Sequence, residues 1–260
     1  MTTLAHISDL HFGAEDPEAI EALLEDLSSQ PPDLVIVSGD LTQRARRAQF
    51  QAAAAFLQAV PADVLVVPGN HDISLHNPIR RFLRPLRRYR RYISEDLQPA
   101  CRVGKAAVVG INSARSLTFK GGRVSRSQIE AVARFLARQP REVCRVVVTH
   151  HQFVVSAEHD PPGAVGRSLM ALEVFREQRV DLILGGHAHR AESSRLHQHL
   201  PHHDHPTVVA HAGTATSKRL RGQSNSYNRI LISDSEIEIQ IRRLQSSAFQ
   251  SSGSRTFARG

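Results

Sequence analysis

The sequence predicts an α/β fold in which helices alternate with the strands of a largely parallel sheet. Seven short runs rich in valine, isoleucine and leucine are too short for helices and predict buried strands, at residues 4–7, 34–37, 64–67, 106–111, 145–148, 182–184 and 208–210. Between them, apolar residues recur at helical spacing in residues 18–27, 45–60, 127–137 and 169–178. This alternation is typical of βαβ units.

The C-terminal region has a different pattern. Residues 229–233 and 236–242 flank Asp234-Ser235, and this arrangement predicts an antiparallel hairpin. Residues 246–260 are rich in serine, glycine and arginine, which predicts a flexible tail. Because no linker divides the rest of the chain, we expect residues 1–245 to form a single domain.

The composition limits the class of protein. The chain has 260 residues, of which 41% are hydrophobic, enough for a packed core. Lysine and arginine exceed aspartate and glutamate by 33 − 25 = 8, which favours anionic partners. Cys101 and Cys144 lie in no metal or redox pattern, and no run approaches the roughly 18 apolar residues of a membrane span. We therefore expect a cytoplasmic protein without a disulfide framework or a transmembrane segment.

Polar residues that suit metal ions follow five of the predicted strands. In order they are Asp9-Leu10-His11, Gly39-Asp40, Gly69-Asn70-His71-Asp72, His150-His151 and Gly186-His187-Ala188-His189. In open α/β sheets, side chains at the carboxyl ends of the strands converge on one crevice. Each motif alone is common in surface loops, whereas all five in this order indicate a metal site built from carboxylate, amide and imidazole ligands.

The five motifs together resemble those of the calcineurin-like metallophosphoesterase superfamily, over residues 4–190. The resemblance implies a four-layer α/β/β/α sandwich of two mixed sheets, with two metal ions at the strand ends. One ion would be held by Asp9, His11, Asp40 and His189. The other would be held by Asp40, Asn70, His150 and His187, so that Asp40 bridges the two ions.

The resemblance also implies a reaction. A hydroxide bridging the two ions would attack the phosphorus of a phosphoester. His71 resembles the family's histidine that is not a ligand, and beside the leaving group it would donate a proton. Asp40 and His71 are therefore the predicted catalytic residues. The ligand types suit divalent or trivalent iron, manganese, zinc or cobalt without choosing among them.

The second motif distinguishes among branches of the superfamily. Its protein Ser/Thr phosphatases carry Gly-Asp-x-x-Asp-Arg-Gly, whereas this chain has Gln43 at the second aspartate and Ala45 at the last glycine. The motifs are closest to the bacterial class III cyclic-nucleotide phosphodiesterase branch, which implies an anionic phosphodiester substrate, with phosphomonoesters in addition. A nuclease and a phosphohydrolase acting on a lipid or a nucleotide sugar are alternative enzymes. A scaffold without catalytic activity is the alternative from another class.

An arginine-rich segment follows directly after the third motif. Residues 77–94 contain seven arginines and no acidic residue. Their apolar residues fall near helical spacing and predict an amphipathic helix with a kink at Pro85. We predict that Arg90, Arg91 and His151 contact the substrate. A solvated basic face, a nucleic-acid contact and a peripheral contact with an anionic membrane are alternatives for the segment. The histidines of residues 197–205 predict only a surface loop, and the sequence leaves the oligomeric state open.

Overall fold

The computed structural model describes residues 1–75, 77–118, 121–154 and 163–260, which contain twelve strands and six α-helices. The strands are β1 (Thr2–Ile7), β2 (Leu34–Ser38), β3 (Val64–Val67), β4 (Ala100–Val103), β5 (Ala106–Ile111), β6 (Cys144–Thr149), β7 (Leu182–Gly185), β8 (Glu192–Arg195), β9 (Val208–His211), β10 (Ser226–Ile232), β11 (Glu236–Gln245) and β12 (Ala248–Ala258). The helices are α1 (Pro17–Ser29), α2 (Arg47–Ala59), α3 (Pro78–Leu83), α4 (Arg87–Tyr92), α5 (Arg126–Ala137) and α6 (Ser168–Glu177). None of the helices in these residues is long and apolar enough to cross a membrane.

The strands form two mixed sheets of six strands each. The first has the order β12-β11-β10-β1-β2-β3, in which β1, β2 and β3 are parallel. The second has the order β4-β5-β6-β7-β9-β8, in which β5, β6, β7 and β9 are parallel. Antiparallel strands complete both sheets. The parallel strands predicted from the sequence are therefore divided between two sheets.

Alternating side chains of the central strands build the layers. In β2, Val35 and Val37 pack with residues of α1 and α2, whereas Leu34 and Ile36 pack with residues of the second sheet. Successive residues of a strand point to opposite faces, so a strand that is apolar throughout is covered on both sides. The other face of the second sheet packs against α5 and α6. This order of layers confirms the α/β/β/α sandwich of two mixed sheets.

The loops that follow the parallel strands of both sheets lie at one edge of the sandwich. His150, after β6, has its Nδ1 2.8 Å from the carbonyl oxygen of Ser38, at the end of β2. The amide of His187, after β7, donates to Asp9 Oδ2 at 3.0 Å. The predicted motifs of the two sheets thus meet across the interface between them.

The prediction of a flexible tail at residues 246–260 is wrong for most of that segment. Residues Ala248–Ala258 form β12, which pairs antiparallel with β11. Beyond the strand, Arg259 Nε lies 3.6 Å from Oδ1 of Asp181, the residue before β7. Most side chains of β12 are exposed, so backbone pairing with β11, together with burial of Phe249, orders a segment whose composition resembles a linker.

The single helix predicted within residues 77–94 is two short helices, α3 and α4. Pro85 lies between them, and proline disfavours helical backbone at the residue before it. Arg84 accordingly has φ −147° and ψ 60°, outside the helical region. A break therefore replaces the expected kink.

Candidate metal centre

Left-handed backbone conformations mark this edge of the sandwich. Residues other than glycine rarely have positive φ, and such strain concentrates at functional sites. Five of the seven predicted metal ligands have it, with φ of 55° at Asp9, 49° at His11, 50° at Asp40, 70° at His187 and 60° at His189. The turns at these residues aim their side chains back toward the edge.

Close packing holds the first ligand in place. Ser8 Oγ donates to Asp9 Oδ2 at 2.7 Å, and the amide of His187 donates to the same oxygen at 3.0 Å. A Cβ added at Gly186 would lie 2.8 Å from this oxygen and closer still to Ser8 Oγ, so only glycine fits there. Protein donors thus occupy Oδ2 of Asp9, while Oδ1 faces the histidines.

The first group of candidate ligand atoms comes from Asp9, His11 and His189. Asp9 Oδ1 lies 3.4 Å from His189 Nε2 and 3.6 Å from His11 Nε2, and the two nitrogens are 3.4 Å apart. Atoms that share one ion at bond lengths of about 2.1 Å lie about 3.0–3.5 Å from one another. All three residues are buried. Their separations fit a single metal ion.

The hydrogen bonds of His189 are those expected of a metal-binding histidine. Its Nδ1 lies 3.2 Å from the carbonyl oxygen of Arg219 and 2.6 Å from Thr214 Oγ1, so Nδ1 carries the proton that the carbonyl accepts. In the neutral ring, Nε2 then has only a lone pair. It faces Asp9 Oδ1, a buried oxygen without a hydrogen bond in the described residues. Two lone pairs so placed repel each other unless a cation lies between them, and histidines that bind metals are held in this way through their other nitrogen.

His150 organises the second group. Its Nδ1 donates to the carbonyl of Ser38 at 2.8 Å, which leaves Nε2 as an acceptor in the neutral ring. That Nε2 lies 3.1 Å from Asn70 Oδ1, 3.2 Å from His187 Nδ1 and 3.4 Å from Asp40 Oδ2. These separations again match ligands that share one ion.

Asp40 lies between the two groups. Its Oδ1 accepts a hydrogen bond from the His71 amide at 2.8 Å. Its Oδ2 lies 3.4 Å from His150 Nε2 and 3.8 Å from His11 Nε2. Asp9, Asp40 and His150 also offer ligand atoms within 4.8 Å of one another. One carboxylate oxygen therefore borders both groups, which is the position that a bridging ligand needs.

The ionisation of these residues shows how strongly the cluster favours positive charge. Burial opposes ionisation of Asp40, but His150, His71 and His11 outweigh it and hold the pKa of that carboxyl well below its usual range. Burial likewise opposes charge on His150, yet Asp40 and Asp9 raise the pKa of its ring to about 9. A protonated His150 thus supplies charge that a metal ion would otherwise supply, and ion binding would release the proton.

Asp72 orders the third loop and does not belong to either group. Its carboxylate accepts from the amides of Gly69 and Thr42, each at 2.9 Å, and from Thr42 Oγ1 at 2.9 Å. Burial and the nearby Asp40 raise the pKa of Asp72 to about 6. The ordered loop presents His71, whose Nδ1 donates to the Gln43 carbonyl at 2.9 Å. The His71 ring packs edge-on against His11, with 4.9 Å between ring centres.

Arg219 completes the surroundings of His71 and was not found from the sequence. Its Nη1 lies 3.5 Å from His71 Nε2 and 3.4 Å from Gln43 Oε1. Its backbone carbonyl is the one that orients His189. Arg219 lies 148 positions from His71 in a loop without a recognisable motif, so no sequence signal distinguished it from the other arginines. The structure adds a half-buried guanidinium beside both His71 and the first group.

The three residues predicted to contact substrate lie in different surroundings. His151 is buried, with Nδ1 2.8 Å from Ser113 Oγ and its ring centre 4.7 Å from that of His187. Arg90 and Arg91 are exposed on α4, and Arg90 pairs with Glu95 at 3.8 Å. In the part of the chain that the structure describes, no hydrogen bond or ion pair joins either arginine to a predicted ligand. Contact of these three residues with substrate stays a prediction.

Comparison with known proteins decides the family. The profile of the calcineurin-like phosphoesterases matches residues 2–191, which include all seven predicted ligands. The chain belongs to the calcineurin-like phosphoesterase family. Membership confirms the resemblance stated from the five motifs.

Two curated relatives of this calcineurin-like phosphoesterase are named as phosphodiesterases. A glycerophosphodiester phosphodiesterase of Enterobacter lignolyticus is 36% identical over 94 residues, which cover 32% of this chain and 33% of that protein. The chain thus matches about a third of that relative's length. A probable cyclic nucleotide phosphodiesterase of Vesicomyosocius okutanii is 22% identical over 203 residues, which cover 75% of this chain and 82% of that protein.

Solved structures of two phosphatases share the fold. A purple acid phosphatase from yellow lupin seeds superposes with a TM-score of 0.75 at 14% identity, covering 99% of this chain and 54% of that one. A dimetal phosphatase from Danio rerio superposes with a TM-score of 0.72 at 13% identity, covering 100% of this chain and 99% of that one. At these identities the likeness shows a common fold.

Proposed function

We propose that this calcineurin-like phosphoesterase is a two-metal enzyme that hydrolyses phosphodiesters, and phosphomonoesters in addition. The observation that carries the proposal is the position of Asp40, whose Oδ2 borders a group of candidate ligands on either side. Paired ions are the arrangement that stabilises both the attacking and the leaving oxygen in phosphoryl transfer. The names of the two relatives support cleavage of diesters.

The seven predicted ligands divide between the two proposed ions, and Asp40 is shared. One ion would be held by Asp9, His11, Asp40 and His189, and the other by Asp40, Asn70, His150 and His187. Imidazole, carboxylate and one amide oxygen suit iron, manganese, zinc or cobalt. When bound, such ions acidify water and neutralise negative charge on a phosphoryl oxygen. Holding the substrate and protonating its leaving group are tasks for the side chains around the ligands.

His71 is the side chain placed to move a proton. Because its Nδ1–H donates to the Gln43 carbonyl, the tautomer is fixed and Nε2 is the atom available for transfer. Its ring packs against His11 of the first ligand group, so Nε2 lies beside the predicted metal ligands. With a second proton at Nε2 the ring of His71 is an imidazolium, and delivery of that proton to the oxygen of the departing alcohol returns the ring to its neutral form with the proton on Nδ1.

Arg219 is placed to hold a phosphoryl oxygen. The planar guanidinium of an arginine is positive and matches two phosphate oxygens at once. The nearest polar side chains are His71 and Gln43, neither of them a carboxylate, and the described residues give Arg219 no ion pair. A positive charge without a protein counter-ion beside the ligand groups suits an anionic substrate.

The first test is hydrolysis by the purified protein loaded with Mn²⁺. The panel contains cyclic nucleotides, glycerophosphodiesters, nucleotide sugars, single-stranded DNA, and aryl phosphate monoesters and diesters. We expect turnover of small phosphodiesters. Absence of turnover on every ester would overturn the proposal, and cleavage of DNA alone would replace it with a nuclease.

Two variants separate the roles of the side chains around the ligands. His71→Ala lowers kcat about 10²–10⁴-fold for an alkyl leaving group and far less for an aryl one, because an acidic phenol leaves without a proton. Arg219→Met lowers kcat/KM about 10–100-fold for both leaving groups, since a hydrogen bond to a charged group is lost. Exposed His202 and Arg126 supply the matched controls His202→Ala and Arg126→Met, which leave both constants unchanged. Equal losses for the two leaving groups in His71→Ala would contradict proton donation.

A further inference from the structure

Exposed apolar side chains gather at and around α3. Of the nine large hydrophobic residues that are exposed in the described chain, four lie within nine positions: Leu75, Ile79, Phe82 and Leu83. Ile79 is 71% exposed and Leu83 is 75% exposed. Beneath them, buried Arg81 donates to the Thr118 carbonyl at 2.9 Å, which brings Leu117, 84% exposed, beside α3. Clustered exposed apolar residues mark an interaction surface. These five residues are called the apolar patch below.

Positive charge surrounds the apolar patch. Of the seven arginines in residues 77–94, Arg81 is buried and Arg90 pairs with Glu95 at 3.8 Å. The other five have no ion pair within the described residues and, together with Arg47, line a cavity of about 560 Å³: Arg80, Arg84, Arg87, Arg88 and Arg91. Ile79 and Leu83 belong to the same wall. The surface thus joins uncompensated guanidinium groups to exposed aliphatic side chains.

We propose that this surface docks the protein on an anionic lipid bilayer. Side chains of the apolar patch enter the boundary between headgroups and acyl chains, and the arginines bind lipid phosphates. The cavity leaves room for a phosphate headgroup between several guanidinium groups, which bind phosphate in bidentate pairs. Leu75 lies three positions after Asp72, so docking holds the third metal loop beside the headgroups.

The chemistry of the surface disfavours two other occupants. A second copy of the chain would bring arginines against arginines, and like charges repel across an interface. Nucleic acid would satisfy the arginines, but its phosphates offer nothing to Ile79, Leu83 and Leu117. Single strands bind instead through aromatic rings, of which the apolar patch has only Phe82.

The test is co-sedimentation of the full chain with vesicles of phosphatidylcholine alone and of an equal mixture of phosphatidylcholine and phosphatidylglycerol. We expect binding to the mixed vesicles, little binding to the neutral ones, and weaker binding as salt is raised. We expect the partition coefficient to fall at least about tenfold in the serine variant, which combines Ile79→Ser, Phe82→Ser and Leu83→Ser. We expect the partition coefficient to fall about 100-fold in the arginine variant, which combines Arg80→Gln, Arg84→Gln and Arg87→Gln.

Controls on the other side of the sandwich use the same chemistry. Leu169 and Met170, on α6, are 70% and 38% exposed, and Arg134 and Arg138 are exposed at the end of α5. Vesicle binding should be unchanged in two control variants, Leu169→Ser with Met170→Ser and Arg134→Gln with Arg138→Gln. Circular dichroism checks that every variant is folded. Equal binding to both kinds of vesicle, binding to neither, or equal losses in the controls would overturn the proposal. If the serine variant still bound vesicles and the arginine variant lost binding to an oligonucleotide, the surface would be assigned to nucleic acid instead.

Discussion

Gly69 packs against the carboxylate that borders both ligand groups, and Gly69→Ala is expected to disable the site without removing a ligand. The φ of Gly69 is −105°, which any residue adopts, so the change adds no backbone strain. A Cβ there would lie 2.8 Å from Asp40 Cγ, and closer still to Asp40 Oδ1 and its amide nitrogen. Carbon atoms in ordinary contact are about 3.5–4.0 Å apart, so Asp40 or the Gly69 loop must move by about 1 Å.

A displacement of about 1 Å in a positioned catalytic group costs about 100-fold in rate. Overpacking a buried site also lowers the free energy of unfolding by about 1–3 kcal/mol. Steady-state hydrolysis of an aryl phosphodiester at saturating Mn²⁺, with urea unfolding in parallel, measures both effects. Gly163→Ala is the matched control, because a Cβ there meets no described atom within 4 Å. The control should keep turnover within about twofold of wild type. The same result for Gly69→Ala would refute the claim that the site depends on the position of Asp40.

Three further predictions concern stability. His6 is fully buried, and burial, together with His211, lowers the pKa of its ring to about 3, below the unfolded value of 6.5. The free energy of unfolding is therefore highest above the unfolded pKa of His6 and falls as pH falls toward the folded pKa. Going from about pH 7.5 to about pH 5 lowers it by about 2 kcal/mol. In urea unfolding, the loss of stability of His6→Asn over this pH range should be smaller by that amount. Asp72→Ala leaves the buried amides of Gly69 and Thr42 without an acceptor, and denaturant unfolding should report a loss of about 3 kcal/mol, whereas an unchanged midpoint would contradict its ordering role. Mn²⁺ at about 100 times its dissociation constant should raise Tm by about 5–10 °C over protein in chelator, and Asp40→Ala should remove most of that rise.

Local sequence was sufficient to predict which residues meet at the candidate metal centre. Each predicted ligand follows a parallel strand within a few residues, as Asp40 follows β2 and His187 follows β7. Parallel strands deliver the residues after their carboxyl ends to one edge, so recognising the strand and the motif together was enough to place the ligand. Distances of 3.1–3.8 Å between the candidate ligand atoms agree with that expectation.

Arg219 and β12 could not be predicted, for different physical reasons. Arg219 reaches His71 from a loop 148 positions away, and neither its spacing nor its neighbours distinguish it. β12 is held by backbone hydrogen bonds to β11, and backbone pairing leaves little trace in a strand whose side chains are mostly exposed.

The most direct test of the two-metal account is a titration of metal-free protein with Mn²⁺, with turnover of an aryl phosphodiester measured at each addition. The account predicts that activity rises to a maximum at two equivalents of Mn²⁺ per chain, and that Asp40→Asn stays near background throughout, because the side chain that borders both ligand groups is changed. Full activity at one equivalent, or turnover by Asp40→Asn equal to wild type, would contradict the central claim that Asp40 bridges two ions.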